Sequence, residues 1–238
     1  MRCEILELEG CFNVRDLGGY PADSGKTTRH RRFIRAGTLF GMTERGKAAL
    51  HDLGIQCVID LRSQREVDEH PDAVMHDRRF AWFHLPMLDY VHSGITEVLP
   101  EDFPSSLEEM YIGLLEDSKA KFEKLFTLFA SPAYESYLFH CTAGKDRTGV
   151  VAMLLLALAG VDEQTIVEDY SHSEKLIQGL FDRAILADLP AHLFLSRAQT
   201  MRAALQHLKS QYGSGRAYLS QIGITSELQQ AILAKLTG

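Results

Sequence analysis

The sequence is short of cysteine, of tryptophan and of long apolar segments. It contains four Cys and one Trp in 238 residues. The cysteines show no C-x-x-C spacing, which argues against zinc-finger and thioredoxin-type sites and favours free thiols. They are Cys3, Cys11, Cys57 and Cys141. The longest apolar run, Val150 to Val161, is shorter than the roughly 20 residues of a transmembrane helix, so we expect a buried helix there and no transmembrane segment.

Positive charge is also scarce. Lys and Arg number 25 against 32 Asp and Glu, which gives a formal net charge of −7 at pH 7. An acidic protein repels polyanions, so we expect no nucleic-acid partner. Any anion that the protein handles must be met by a local positive pocket. The N-terminus carries three Glu and no apolar core, so we expect no signal peptide and a cytoplasmic location.

The order of apolar patterns along the chain predicts the fold class. Residues 55–60, 80–85 and 134–140 are short apolar runs typical of buried strands. Helical spacing predicts one helix from Ser106 to the break at Pro132, and nearly everything after Asp162 has a helical pattern. This alternation predicts an α/β fold with a largely parallel central sheet flanked by helices and a helical C-terminal region. We expect residues 1–238 to form a single domain, with residues of about 162–210 as a candidate lid.

The stretch from Tyr137 to Val150, Y-L-F-H-C-T-A-G-K-D-R-T-G-V, carries the candidate chemistry. A strand is predicted to end at His140, and an apolar helix begins near Arg147 after a short loop. In a parallel sheet this junction binds ligands, because loop N–H groups and the helix N-terminus form a nest for an anion. The same positive field stabilises a thiolate at Cys141, and Arg147 offers phosphate a planar fork of donors. Thr148 offers a hydroxyl to the thiolate.

The sequence H-C-T-A-G-K-D-R-T-G resembles the phosphate-binding loop of cysteine-dependent protein-tyrosine phosphatases. Three other segments resemble one subfamily, the atypical bacterial and fungal phosphatases of the tyrosine phosphatase family 3 group. These segments are N-V-R-D-L-G-G-Y from Asn13, V-I-D-L-R-S from Val58 together with Glu66, and Y-G-S-G-R-A-Y-L from Tyr212. The resemblance runs in order over nearly the whole chain. It implies the phosphatase fold.

The resemblance also implies an activity and a set of site residues. It implies a phosphomonoester hydrolase that acts on phosphotyrosine, and also on phosphoserine, phosphothreonine or phosphoinositides, through a phosphocysteine intermediate and without a cofactor. Cys141 is the implied nucleophile and Arg147 the implied phosphate ligand. The other residues expected to bind phosphate are Thr142, Ala143, Gly144, Lys145 and Asp146. The residues expected to support the loop are His140, Thr148, Arg15 and Asp16. The implied partner is a phosphorylated protein or a phosphoinositide, and the sequence leaves the oligomeric state open.

Two roles remain open between alternatives. Lys145 resembles a second loop cation in tensin-homologue lipid phosphatases, which suits a substrate with additional phosphates, or it balances Asp146 and nearby acidic side chains. Ordinary tyrosine phosphatases supply their acid from a W-P-D loop, and the sequence around Trp82 has no such pattern. The proton donor is then Asp146, within the loop, or Asp60, at the end of a strand. Each also has a structural alternative, as a loop brace for Asp146 and as a partner of Arg62 for Asp60.

Two further interpretations concern a metal and a loss of catalysis. The spacing of His70, Asp72, His76 and Asp77 matches no familiar ligand set, so we expect no metal site. A catalytically weak phosphate-binding module of the same fold is the alternative to an enzyme. Such modules usually lose the Cys or the Arg of the loop, and this sequence has both.

Overall fold

A mixed β-sheet forms the centre of the computed structural model, which describes residues 4–87, 106–178 and 195–238. In these ranges the sheet has six strands in the order β1-β2-β3-β6-β4-β5. They are β1 (Glu4–Ile5), β2 (Arg15–Asp16), β3 (Phe33–Ala36), β4 (Cys57–Asp60), β5 (Ala81–His84) and β6 (Tyr137–His140). The four strands from β3 to β5 in that order are parallel, and β1 and β2 add an antiparallel edge. The predicted α/β class with a largely parallel sheet is confirmed.

Helices flank the sheet. They are α1 (Glu44–Asp52), α2 (Gln64–Glu69), α3 (Leu107–Asp117), α4 (Lys119–Ala130), α5 (Asp146–Ala159), α6 (Glu163–Ile177), α7 (Ala198–Tyr212), α8 (Gly215–Gln221) and α9 (Ser226–Leu236). The side chain of Ser106 caps α3 by accepting from the Glu109 N–H, as the sequence predicts. Residues 179–194 of the candidate lid lie outside the described residues, as does Cys3, so the lid stays a prediction.

The single helix predicted after Ser106 is wrong, because the chain forms two helices that meet at Ser118. This residue ends α3 with φ −104° and ψ 16°. Its carbonyl then accepts from the N–H groups of Lys121 and Phe122 at 2.9 Å and opens the first turn of α4. Asp and Ser are poor residues for a helix interior, because their side chains compete for the backbone. The Asp117-Ser118 pair is therefore a natural place for the break.

Apolar side chains pack on both faces of the sheet. Along β6, Tyr137 and Phe139 face a large core with α5, and Leu138 faces a smaller core on the opposite side. Helix α5 is apolar around most of its circumference and is buried along nearly its whole length. No helix within the described ranges is long and apolar enough to cross a membrane.

The strand register brings three chain segments to one edge of the sheet. His140, the last residue of β6, lies opposite Ala36 of β3 and opposite Asp60 of β4. Each strand ends at that point, so the segments that follow leave the sheet side by side. In parallel sheets this carboxyl edge is where ligand sites form.

A buried lysine fixes α9 at the opposite end of β6. The Lys235 ammonium donates to the carbonyls of Phe129, Ser131 and Tyr134 at 2.6–2.9 Å. It lies 5.2 Å from the centre of the Tyr137 ring. Three carbonyls at the end of α4 and in the loop after it thus share one charged donor, which also lies 3.0 Å from the Tyr137 hydroxyl.

We predict that Lys235→Met lowers the free energy of unfolding by about 3 kcal/mol, because it leaves buried carbonyls without their charged donor. The measurement is urea unfolding at neutral pH. Lys209→Met is the matched control, since the Lys209 side chain is 65% exposed and should change stability by less than about 0.5 kcal/mol. Equal losses in the two variants would contradict the prediction.

Candidate active site

The loop from Cys141 to Arg147 connects β6 to α5 and packs against the segment that follows β3. The Thr142 carbonyl accepts from the Thr38 N–H at 2.9 Å. Gly144 has φ +66°, and a Cβ at this position would lie 2.4 Å from the Ala36 carbonyl oxygen. Only glycine meets both conditions without strain. Cys141, at the start of the loop, is 2% exposed.

The backbone of this loop is rich in unused donors. Within the part of the chain that the structure describes, the N–H groups of Thr142, Ala143 and Gly144 donate no hydrogen bond. The 14-residue helix α5 begins two residues after Gly144, at Asp146, and its N-terminus adds positive potential. Buried backbone N–H groups without a partner are rare in proteins, and Gly144 is buried while Thr142 and Ala143 are half-buried. Their concentration here fits an anion as the missing acceptor.

Arg147 is held by a buried carboxylate. Its Nη1 donates to Glu66 Oε2 at 2.7 Å and its Nη2 donates to Oε1 at 2.9 Å, a two-point ion pair. Thr142 also donates to Glu66 through its hydroxyl. Burial raises the pKa of Glu66, but the hydrogen bonds and charge of Arg147 outweigh this effect and lower it to about 2. Glu66 therefore remains ionised and fixes the plane of the guanidinium.

Glu66 is positioned by the start of α2. The Ser63 side chain accepts from the Glu66 N–H, and Glu66 Oε2 accepts from the Ser63 N–H at 2.8 Å, which completes a capping box. Three residues separate the end of β4 from the start of this short helix. The S-x-x-E spacing directly after a strand was the signal in the sequence, but it does not reveal that the same carboxylate reaches Arg147.

A second buried carboxylate supports the loop indirectly, through an arginine side chain. Asp169 of α6 accepts from Arg35 at 2.5 Å, from Arg15 at 3.4 Å and from the Tyr20 hydroxyl at 3.1 Å. Arg35 donates in turn to the Gly144 carbonyl at 2.8 Å. Burial raises the pKa of Asp169, but the charges of Arg15 and Arg35 outweigh it and hold the pKa below its ordinary value. The loop backbone is thereby tied to a helix that is distant in sequence.

The two supporting residues predicted near the N-terminus have different surroundings. Arg15 donates to the side chain of Asn13, whose amide donates to the Ala143 carbonyl at 2.8 Å, so Arg15 reaches the loop through Asn13. Asp16 instead accepts from the N–H groups of Gly18 and Arg31 and holds the turn that follows β2. Of the two, only Arg15 is connected to the loop by these contacts.

His140 lies in a buried polar cluster beneath Cys141. Its Nε2 is 2.8 Å from Asp72 Oδ2, which also accepts from the Trp82 indole at 3.0 Å. Its Nδ1 is 3.3 Å from the Cys141 carbonyl oxygen. Burial lowers the pKa of His140, but the charges of Asp72 and Asp60 outweigh it and raise the pKa to about 9. The imidazole is thus positively charged at neutral pH, next to the candidate nucleophile.

Asp60 belongs to the same cluster. Its carboxylate accepts from Arg62 through Nε at 3.0 Å and through Nη2 at 2.6 Å, and it is fully buried. Arg62 also donates to Asp72 at 2.8 Å. Asp60, Asp72 and His140 are close enough together to resemble a metal site. The Arg62 guanidinium already supplies the positive charge between the two carboxylates, and so does not fit a metal there.

Asp146 is the more accessible of the two candidate proton donors. It is the first residue of α5, and its side chain is 25% exposed. The Tyr111 hydroxyl is 2.8 Å from Asp146 Oδ1, and the Lys145 ammonium is 3.1 Å from the same oxygen. Lys145 also donates to the Leu195 carbonyl at 3.1 Å and is almost fully buried.

Thr148 is fully buried, and its hydroxyl has no hydrogen-bond partner among the described residues. The bond to Cys141 that the sequence suggests is not formed here. Several other residues that contact the loop, or contact the side chains that support it, were missed as site residues. They are Asn13, Arg35, Glu66, Asp72, Tyr111 and Asp169. Asn13 and Glu66 stand in or beside the quoted motifs, whereas the sequence holds no local signal for Tyr111 or Asp169.

We predict that Glu66→Gln lowers the free energy of unfolding by about 3 kcal/mol at neutral pH, because it breaks a buried ion pair. Because the pKa of Glu66 is about 2 when folded and 4.5 ordinarily, the loss should be complete above about pH 4.5 and should shrink toward pH 2. Chemical unfolding across this range measures it. Glu69→Gln is the control, since Glu69 forms an exposed pair with Arg65 on the same helix. A loss that does not vary with pH would contradict the assignment.

The comparisons with known proteins agree with this geometry. A family model, Tyrosine phosphatase family, matches residues 6–238. A tyrosine-protein phosphatase of Nostoc commune is 33% identical over 217 residues, which span 86% of this chain and 74% of the relative. The triple specificity protein phosphatase PtpB of Mycobacterium tuberculosis is 28% identical over 98% of each chain. The family predicted from the sequence is thus confirmed: the chain belongs to the tyrosine phosphatase family.

Proposed function

We propose that the protein hydrolyses phosphotyrosine through a phosphocysteine formed on Cys141. One observation carries this proposal: unpartnered loop N–H groups lie between Cys141 and an Arg147 whose guanidinium Glu66 holds in place. A phosphate group bound to these donors would have its phosphorus beside the sulfur. The loop N–H groups and the N-terminus of α5 supply positive potential where the sulfur attacks it.

In the first step the Cys141 sulfur forms a bond to phosphorus, and the bond from phosphorus to the tyrosine oxygen breaks. Arg147 and the loop N–H groups hold the three remaining phosphate oxygens. In the second step a water oxygen attacks phosphorus, the sulfur–phosphorus bond breaks, and the thiolate and inorganic phosphate are released. Neither step requires an oxidant, a reductant or a metal ion.

We assign the proton donor to Asp146. In the first step its carboxyl gives a proton to the leaving oxygen, and in the second it takes one from water. Its partial exposure at the loop supports this role. Asp60 is less suited, because it is fully buried and its two oxygens are engaged by Arg62.

The proposal extends to phosphoserine, phosphothreonine and phosphoinositides. The name of the Mycobacterium tuberculosis relative, a triple specificity protein phosphatase, supports this wider range. Lys145 adds a second cation to the loop and can contribute to the binding of further phosphates. We place the enzyme in the cytoplasm, because Cys11, Cys57 and Cys141 are free thiols and a reducing compartment keeps them so.

We predict that Cys141→Ser lowers kcat by more than about 10³-fold while a phosphotyrosine peptide still binds, because oxygen is a much weaker nucleophile than the thiolate. Steady-state kinetics and calorimetric binding test this. Cys11→Ser, which removes a thiol outside the loop, should leave kcat unchanged. Substantial turnover by Cys141→Ser would eliminate the covalent mechanism. Binding without turnover in the unsubstituted protein would favour the phosphate-binding module.

We predict that Asp146→Asn slows hydrolysis of a phosphotyrosine peptide by about 10²-fold or more, and that of 4-nitrophenyl phosphate by less than about tenfold. A poor leaving group needs a proton, whereas an activated one does not. The basic limb of the pH–rate profile should flatten for the peptide. Asp60→Asn should show no such difference between the substrates. If Asp60→Asn shows it and Asp146→Asn does not, the acid lies at the end of β4.

A further inference from the structure

The carboxyl group of Asp146 has two oxygens in different surroundings. Oδ1 lies 2.8 Å from the Tyr111 hydroxyl and 3.1 Å from the Lys145 ammonium. Oδ2 has no hydrogen-bond partner within the described residues. One oxygen is thus fixed by two donors, and the other is left for a ligand or a proton.

The direction of the hydrogen bonds follows from counting protons. The Tyr111 hydroxyl lies 2.9 Å from the Tyr170 hydroxyl as well as close to Asp146. A hydroxyl has one proton, and an ionised carboxylate can only accept. Tyr111 therefore donates to Asp146 Oδ1, and Tyr170 donates to Tyr111. Helices α6, α3 and α5 supply the three members of this chain, Tyr170, Tyr111 and Asp146.

Both tyrosines retain their protons. Their side chains are fully buried, and the rings pack edge to face with centres 5.8 Å apart. Burial, and then the charge of Asp146, raise the pKa of Tyr111 well above its ordinary value, and burial raises that of Tyr170. Tyr111 is therefore a permanent donor, too weakly acidic and too deeply buried to protonate a leaving group itself.

We propose that Tyr111 is a positioning residue for proton transfer, which confines the proton of Asp146 to Oδ2. The inference rests on the proposed role of Asp146 as the acid. Because Oδ1 accepts from Tyr111 and Lys145, a proton that Asp146 acquires is placed on Oδ2. That oxygen gives the proton to the leaving group in the first step and takes one from water in the second. Tyr170 orients the Tyr111 hydroxyl and does not touch the acid.

The charged and titratable groups around Asp146 come from three elements. Lys145 precedes it, Arg147 follows it, Tyr111 faces it from α3, and Tyr170 lies behind Tyr111 on α6. Of these groups, only Tyr111 and Lys145 contact Oδ1. Loss of the Tyr111 donor removes one of the two contacts that stabilise negative charge on Oδ1, so the basic limb of the pH–rate profile should move to higher pH.

The test compares Tyr111→Phe with Tyr170→Phe, which removes the other hydroxyl of the same pair. Tyr111→Phe should lower kcat for a phosphotyrosine peptide about tenfold and kcat for 4-nitrophenyl phosphate less than about twofold, and should move the basic limb for the peptide to higher pH. Tyr170→Phe should show the same dependence on the leaving group with a smaller loss, about threefold for the peptide, because Tyr170 acts only through Tyr111. In an Asp146→Asn background, Tyr111→Phe should cause no further loss, because the two residues act in one step.

The outcomes separate this inference from the proposed function. If Asp146→Asn shows the dependence on leaving group and Tyr111→Phe does not, only the role of Tyr111 is overturned. Equal losses on both substrates, or a further loss in the Asp146→Asn background, also overturn it. If Asp146→Asn itself shows no such dependence, the acid assignment fails and this inference fails with it. Should Tyr111→Phe not fold, 3-fluorotyrosine at position 111 keeps the shape and, as a stronger donor, should move the basic limb to lower pH.

Discussion

The buried ion pair between Glu66 and Arg147 is the interaction on which the rest of the site depends. The loop gathers N–H donors, a helix N-terminus and a guanidinium in a small volume. Without a carboxylate, these positive groups would have no partner until a substrate arrived. Glu66 balances them and also sets the plane of Arg147. Glu66 belongs to the capping box at the start of α2, which follows β4 closely. The edge of the sheet therefore determines the position of Glu66 and, through it, the orientation of the guanidinium.

The loop makes few bonds within itself and is held by separate parts of the chain. Asn13 holds Ala143, Arg35 holds Gly144, and Thr38 holds Thr142. These contacts use carbonyl oxygens of the loop, which leaves its N–H groups unused. The arrangement explains how a seven-residue loop can be rigid and still offer its donors to an anion. Preorganisation of this kind means that no reorganisation is needed when charge develops on the phosphate.

The sequence predicted β4, β5 and β6, their common edge and the loop between His140 and Thr148, because these depend on local patterns and on a rule of parallel sheets. It did not predict the short strands β1 and β2 or strand β3. It did not predict the partners of the loop. Glu66 and Arg147 are 81 residues apart, and Tyr111 meets Asp146 only through the packing of α3 against α5. No periodicity encodes such a meeting. The ion pair of Asp60 with Arg62 could be predicted, since the two residues are two positions apart. The complete burial of Asp60 could not be predicted.

Helix α6 carries two adjacent residues with different tasks. Asp169 is connected to the loop through Arg15 and Arg35, and the Tyr170 hydroxyl forms a hydrogen bond with the hydroxyl of Tyr111, which contacts Asp146. Under the proposed mechanism, a rotation or shift of this helix would disturb phosphate binding and proton delivery at the same time. The two proposed tasks of the site thus depend on the position of one helix, so a displacement of α6 is expected to weaken substrate binding and turnover together.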